Sequence, residues 1–348
     1  SYQHVLDHLG PHGLPLIGRA DWNDCLNLNA FSTTPGESFQ TSENRESGTA
    51  ESVFIAGLFV HASDLYAELL DAIGEDAEAD EVRGEAMRMS DVVLEHAWDG
   101  EWFLRAYDAF GDEIGSAANT EGQIFIESNG ICVMAGIGVD TGQARMAADS
   151  VKERLDSDHG IMLVQPAFTE FRVELGEIST YPPGYKENGS IFCHTNPWMM
   201  IAEARLGNSE QAFEYWSKIA PTFREEISEI HRTEPYVYAQ TIAGRDAPRH
   251  GEAKNSWLTG TAAWNWVAMT QYILGVRPQI EGLRVDPRLP STIEHVDVVR
   301  RCRGAEYRIH IDNTGTGVTT VTADGTPLDE PVVPYAPQGA NVEVRVTT

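Results

Sequence analysis

The chain has 348 residues, 42% hydrophobic and 9% aromatic; that is apolar surface enough to offset the entropy of ordering, so a disordered chain is excluded and length alone points to roughly two domains. Against 25 Lys and Arg stand 53 Asp and Glu, a formal charge of −28, and only Lys152, Lys186, Lys218 and Lys254 are lysines. That balance excludes nucleic acid and anionic membranes as partners, because both are bound through basic patches.

The acidic residues are spread through segments that also carry periodic apolar residues, so they belong to a folded surface. An acid-rich, lysine-poor surface suits high salt, where screening shortens self-repulsion; it fits a halophile's protein and an ordinary acidic cytosolic one alike. Residues 1–10 have neither the basic start nor the apolar run of a signal peptide, and no 18 consecutive residues are apolar. The expectation is a soluble, cytoplasmic protein with no membrane span. Cys25, Cys132, Cys193 and Cys302 are far apart with no CxxC pair, so reduced, mostly buried thiols are expected rather than a zinc site or disulfides.

Helical spacing begins at residue 49. Val53, Ala56, Gly57, Val60, Leu65 and Leu69 make one stripe, and Val82, Ala86, Met89, Val93, His96 and Ala97 the next. Gly74, between them, stands where a helix C-terminus takes a left-handed residue. The same spacing predicts helices over 120–137, 141–155, 195–206, 209–219 and 257–274. Repeated helix–turn–helix pairs predict a helical toroid or solenoid rather than a parallel α/β sheet. After Gly275 the pattern changes. Pro278, Pro287 and Pro290 punctuate the chain, then Tyr307, Ile309 and Ile311 alternate with Arg308 and His310, and Val342, Val344 and Val346 with Glu343 and Arg345. Residues 276–348 therefore read as a small β-sandwich or partial sandwich.

Three segments between helices are richer in aromatic and paired polar residues than turns require, and a site is expected there. In Asp21-Trp22-Asn23-Asp24 two acids lie three apart around a tryptophan. A carboxylic acid against an indole is desolvated and can hold its proton near neutral pH, and a sugar ring stacks on Trp; an acidic capping or calcium-type loop is the alternative. The second segment, from Tyr181 to Trp198, gathers Lys186, Glu187, Asn188 and His194 ahead of a helix start. There a histidine can share an anion with the helix amides, or be structural. In the third, Thr259-Gly260 offers a hydroxyl and an open amide to a phosphate, or serves as ordinary capping.

Together the segments resemble the inverting disaccharide phosphorylases of glycoside hydrolase family 94, the cellobiose and chitobiose phosphorylase group. Arg19-Ala20-Asp21-Trp22-Asn23-Asp24, Tyr181-Pro182-Pro183-Gly184-Tyr185-Lys186-Glu187-Asn188-Gly189, Ile191-Phe192-Cys193-His194-Thr195-Asn196-Pro197-Trp198, Lys254-Asn255-Ser256-Trp257-Leu258-Thr259-Gly260 and Gly282-Leu283-Arg284-Val285-Asp286-Pro287 stand in family order. The resemblance implies a mainly α chain with a C-terminal β domain: part of an (α/α)6 toroid over 1–275, then a small β-sandwich over 276–348. It implies Asp24 as general acid and Trp22 lining the sugar site. Phosphate contacts fall on His194, Thr259 and Gly260, and substrate contacts on Tyr181, Lys186, Glu187, Gln240 and Glu177.

The activity so implied is reversible, inverting phosphorolysis of a β-linked disaccharide to an α-sugar 1-phosphate and free sugar. Inorganic phosphate is the co-substrate, with no metal and no cofactor. Inverting hydrolysis needs two carboxylates, but phosphate is already a nucleophile, so one acid and an anion site suffice. Family members are longer, with an N-terminal β-sandwich and the first toroid helices, and arginines and an acid from that part have no counterpart here. The expected partners, besides disaccharide and phosphate, are an N-terminal-half polypeptide or a second copy of the chain. Two rival readings stay open: a carbohydrate-binding remnant, and an inverting hydrolase using Glu187 or Glu177 as base.

Overall fold

The computed structural model describes residues 1–18, 20–29, 48–316 and 318–348; Arg19 of the first motif lies outside them. After the short α1 (Tyr2–Leu6), α2 (Val53–Ile73) and α3 (Asp76–His96) form a helical hairpin. Ser52 caps α2 by accepting from the Ile55 N–H at 3.0 Å, and Gly74 ends it at φ +84°, where a side chain would be strained. The Gly74 end follows the expectation from sequence.

The remaining helices of this part are α4 (Ile126–Ala135), α5 (Gln143–Leu155), α6 (Asn196–Arg205), α7 (Ser209–Ile219), α8 (Ser228–His231) and α9 (Thr261–Val267), the last running on as a π-helical turn over Ala268–Ile273. They pack in two rows. α2, α4 and α6 touch in succession, while α3, α5 and α7 each back onto the helix before them. Composition explains the division. Every residue of α4 and nine of the ten in α6 are buried, as suits helices covered on all sides, whereas α5 buries only Ala144, Ala147, Ala148, Val151 and Leu155 at helical spacing.

Three expectations are corrected. The helix predicted from 120 starts at 126, because the N–H groups of Gly122, Gln123 and Ile126 donate to the carbonyls of Pro166, Gln165 and Leu163, and Ile124–Phe125 pairs with Val164–Gln165. The helix predicted from 257 starts at 261; Asn255 and Trp257 hold left-handed backbones that no helix accommodates. Leu65 and Leu69, assigned to the buried stripe of α2, are 55% and 51% exposed, on one face with Leu58 and Ile73. Among the described residues α2 is the one helix long and apolar enough to cross a membrane by length and composition, and half of that stretch is buried in the protein.

Residues 276–348 build two sheets on one shared core. Val276–Pro278, Gly282–Val285 and Val332–Pro334 form the smaller. The larger runs in the order His295–Cys302, Ala305–Asp312, Asn341–Thr347, Thr320–Ala323, Thr326–Leu328. Tyr307, Ile309 and Ile311 sit beside Val342, Val344 and Val346 in parallel register and face Leu283, Val285 and Val333 in the same core, which is the predicted alternation put to use. The Arg288 N–H donates to the Ile273 carbonyl at 2.8 Å, tying this part to the π-helical turn.

Candidate active site

The two acids of the first motif have different fates. Asp21 is held by Arg105, whose Nη1 and Nη2 donate to its two oxygens at 2.6 and 2.7 Å, and Ser52 Oγ donates to it at 2.7 Å. Burial alone would raise the Asp21 pKa, but the Arg105 charge and these hydrogen bonds hold it below the ordinary carboxylate value. Glu127 lies on the other side of the fully buried guanidinium, 3.6 Å from Nε, and accepts from Asn23 Nδ2 at 3.2 Å. Burial pushes Glu127 up to about 7, with Arg105 only partly opposing. This buried triad fixes the loop, and Asn27 Nδ2 donates to the Asp24 carbonyl at 2.8 Å to close it.

Asp24 itself is exposed. The expectation of an acid pressed against the indole is therefore not met within this chain. Trp22 packs edge-on instead against Phe192, His194 and Trp198, at centroid distances of 5.3, 5.6 and 5.3 Å.

His194 is the meeting point of all three segments. Its ring also lies 5.9 Å from that of Trp198 and 6.4 Å from that of Trp264. Gly260 closes over it so tightly that a Cβ there would sit 2.8 Å from His194 Cε1, which accounts for a glycine at that position. The segment before His194 is held by pairing of Ile191–Phe192 with Thr241 and Ile242, and by the Cys193 N–H donating to the Gln240 carbonyl at 2.9 Å. Gln240 Oε1 accepts from Asn255 Nδ2 at 2.9 Å. Thr259 Oγ1 accepts from the Thr261 N–H at 3.0 Å, bridging Gly260 just ahead of α9. Burial lowers the His194 pKa, so near pH 7 the imidazole is neutral and offers one N–H and one lone pair.

A second group gathers Tyr181, Glu177, Glu187 and Lys186. Tyr181 Oη donates to Glu177 Oε1 at 2.9 Å and lies 3.7 Å from Cys25 Sγ. The loop of the first motif reaches this group too: the Ile178 N–H donates to the Cys25 carbonyl at 2.8 Å and the Glu177 N–H to Asn27 Oδ1 at 3.0 Å. Glu187 has one buried carboxylate oxygen without a hydrogen-bond partner. Burial raises its pKa, and the neighbouring Lys186 opposes that shift. Lys186, Asn255 and Trp257 have φ of 50°, 54° and 70°, three of the six non-glycine residues with positive φ among the described residues. Such backbones cost about 1 kcal/mol or more each and gather where a site imposes them.

The predicted residues thus form two groups joined by one loop: Trp22 with His194, Gln240, Thr259 and Gly260, and Tyr181, Glu177, Glu187 and Lys186 beside Cys25. Asp24 stands between Trp22 and Cys25 in that loop. A groove of about 1050 Å³ between α1, α2 and α3 and a cavity of about 730 Å³ lined by Tyr107, Glu121 and Arg172 include neither Asp24 nor His194; the chemistry is marked by convergent side chains, not by depth. Arg105 and Glu127 were missed from sequence. Arg105 carries no local signal; Glu127 directly follows the apolar run Ile124-Phe125-Ile126, and a carboxylate drawn into a buried helix with it needs a buried partner.

Residues 1–275 match the catalytic domain of the glycosyl hydrolase 94 superfamily. The chain belongs to that family. Over 98% of its length this family 94 chain is 35% identical to an N,N'-diacetylchitobiose phosphorylase of Vibrio proteolyticus, and over 97% it is 33% identical to a solabiose phosphorylase of Paenibacillus borealis. It spans 40% and 42% of those two relatives. Among solved structures a sialidase superposes with a TM-score of 0.59 over 86% of this chain and 26% of that one, at 12% identity, a likeness of fold alone.

Proposed function

We propose that this family 94 chain carries the acid and part of the phosphate site for reversible, inverting phosphorolysis of a β-linked disaccharide of the cellobiose or chitobiose type. One observation carries the reading: Trp22 of the first motif and Gly260 of the third both meet the ring of His194 in the second. Segments far apart in sequence converge on one neutral imidazole beside a stacking surface for sugar.

In this reading Asp24 gives its proton to the glycosidic oxygen as the bond from the anomeric carbon breaks. A phosphate oxygen attacks that carbon from the opposite face, so a β-linkage yields an α-sugar 1-phosphate. The proton that phosphate carried returns to Asp24 through solvent. The neutral His194 donates its N–H to phosphate, with the Thr259 hydroxyl and the Gly260 amide. Glu187, whose buried oxygen lacks a partner, accepts from a sugar hydroxyl, alongside Tyr181, Lys186, Gln240 and Glu177. The disaccharide lying on Trp22 supplies the covering for Asp24 that the chain leaves off.

The two-row packing of α2 to α7 supports an (α/α)6 toroid, and the exposed apolar stripe of Leu58, Leu65, Leu69 and Ile73 is the seam we assign to its further helices. Those helices, and the remaining phosphate and sugar contacts, belong to the part of the relatives that this chain does not span. They are supplied by further residues of the same protein, by a separate subunit, or by a second copy.

The test is to incubate the protein, alone and with a polypeptide carrying that remaining part, with cellobiose or N,N'-diacetylchitobiose and phosphate, and assay α-sugar 1-phosphate. Phosphate-dependent product is expected, with Asp24→Asn lowering the rate at least about 100-fold at unchanged circular dichroism. Near-normal turnover in that variant overturns the assignment of the acid. Sugar release without phosphate makes the protein a hydrolase, and sugar binding with no product under either condition makes it a binding remnant.

A further inference from the structure

We propose that His295, Asp297 and His310 bind a divalent transition-metal ion on the outer face of the larger C-terminal sheet. The pleat puts His295 and Asp297 on one face of their strand, and the antiparallel register sets Asp297 opposite His310 and His295 opposite Asp312. Ile309 and Ile311 of the same strand point to the core, so this face is the solvent side.

One ligand atom from each of the three residues lies within 4.8 Å of the other two. Asp297 Oδ1 is 3.1 Å from His295 Nε2 and 2.5 Å from His310 Nδ1. Metal bonds of about 2.0–2.1 Å set neighbouring ligand atoms roughly 3.3 Å apart in a tetrahedral site, so small side-chain rotations suffice. The second nitrogen of each histidine already meets a carboxylate: His295 Nδ1 is 2.9 Å from Asp312 Oδ1, and His310 Nε2 is 3.2 Å from Glu343 Oε2. With those nitrogens donating, the lone pairs fall on His295 Nε2 and His310 Nδ1, the two atoms that converge on Asp297. A carboxylate behind each imidazole is what orients histidine ligands and raises their basicity.

Two imidazoles and one carboxylate favour Zn²⁺, Ni²⁺ or Cu²⁺ over Mg²⁺ and Ca²⁺. Asp297, Asp312 and Glu343 offset the ion's charge on a face that also bears Arg308 and Arg345, and Glu306 already engages Arg308 at 3.3 Å. A bound ion would tie His295–Cys302 to Ala305–Asp312 and stabilise the folded state by mass action. The inference does not depend on the phosphorolysis reading.

The experiment titrates the protein with Zn²⁺ by calorimetry and follows Tm with Zn²⁺ or Mg²⁺ present. It compares the native sequence with the double variant His295→Asn plus His310→Asn and with Asp312→Asn, all with matching near-UV circular dichroism. The double variant is expected to bind one fewer equivalent of Zn²⁺ and to lose the Zn²⁺-dependent rise in Tm. Asp312→Asn should keep that equivalent at about tenfold weaker affinity, and Cu²⁺ electron paramagnetic resonance should show nitrogen coupling that the double variant lacks. An unchanged number of Zn²⁺ equivalents in the double variant overturns the proposal. So does a rise in Tm that Mg²⁺ reproduces, since that is charge screening.

Discussion

Arg105 lies between two carboxylates that respond to pH in opposite ways. Asp21 is depressed, so its contribution is present above its unfolded pKa and is lost as pH falls through the folded one. Glu127 is raised from 4.5 to about 7: between those values the unfolded chain releases a proton that the folded chain keeps. Stability therefore falls as pH rises across that window, by up to about 3 kcal/mol. Glu127→Gln keeps an acceptor for Asn23 and removes the titration. Urea unfolding at pH 5, 6 and 7 isolates this group as a difference: histidines held neutral by burial, such as His61 and His231, raise stability with pH in both proteins. The native protein should therefore lose stability relative to the variant as pH rises, and parallel slopes would refute the role of Glu127. Asp24, three residues from Asp21, has no share in this network, which leaves it free for chemistry.

Among the elements, the turn that carries Lys186 and Glu187 is fastened by Asn188, with Ser190 Oγ also donating to the Lys186 carbonyl. Asn188 is fully buried; its Oδ1 accepts from the Phe168 N–H at 2.8 Å, and its Nδ2 donates to the carbonyls of Phe168 at 2.9 Å and Tyr181 at 2.7 Å. Asn188→Ala leaves three backbone groups without partners in a dry place. The expected cost is about 3 kcal/mol, read by denaturant unfolding; a loss below about 1 kcal/mol would mean that the turn is held elsewhere. The same logic explains why α4 starts at Ile126 and α9 at Thr261. The stretches ahead of them stay non-helical because their backbone groups are committed to strand pairing, Ile124–Phe125 with Val164–Gln165 and Ala253–Ser256 with Ala239–Ile242.

For the whole molecule the governing quantity is the charge of −28. Like charges spread over a folded surface repel over the Debye length, about 10 Å at 0.1 M salt and about 3 Å at 1 M. Tm should therefore rise with KCl between those concentrations and level off above them. A Tm that stays flat or falls would mean that local ion pairs, such as Lys218 with Asp156 at 2.7 Å, already neutralise the repulsion. On the proposed reading, an anion site inside such a field has to be local, drawn from His194 and the amide of Gly260 and not from overall charge.

Helical periodicity determined most of the helices, and period-two alternation the long C-terminal strands, because both patterns are local consequences of which side chains must leave water. The family resemblance of the motifs implied neighbouring sugar and phosphate sites for Trp22, His194 and Gly260, and in the fold Trp22 and Gly260 both meet the His194 ring. Other features were decided only by tertiary structure. Asp21 and Asp24 are chemically alike in sequence, and only the distant Arg105 makes one structural while the other stays exposed. Leu65 and Leu69 fall off the helical period set by Val53, Gly57 and Val60 and lie on the face of Leu58 and Ile73; being apolar they still invite a cover, but what covers a helix face depends on its neighbours, and the described residues leave that face open. His295, Asp297 and His310 carry no motif at all; sheet register brings them together, and register is set by which face of each strand is buried, a property of the assembled core and not of the strand alone.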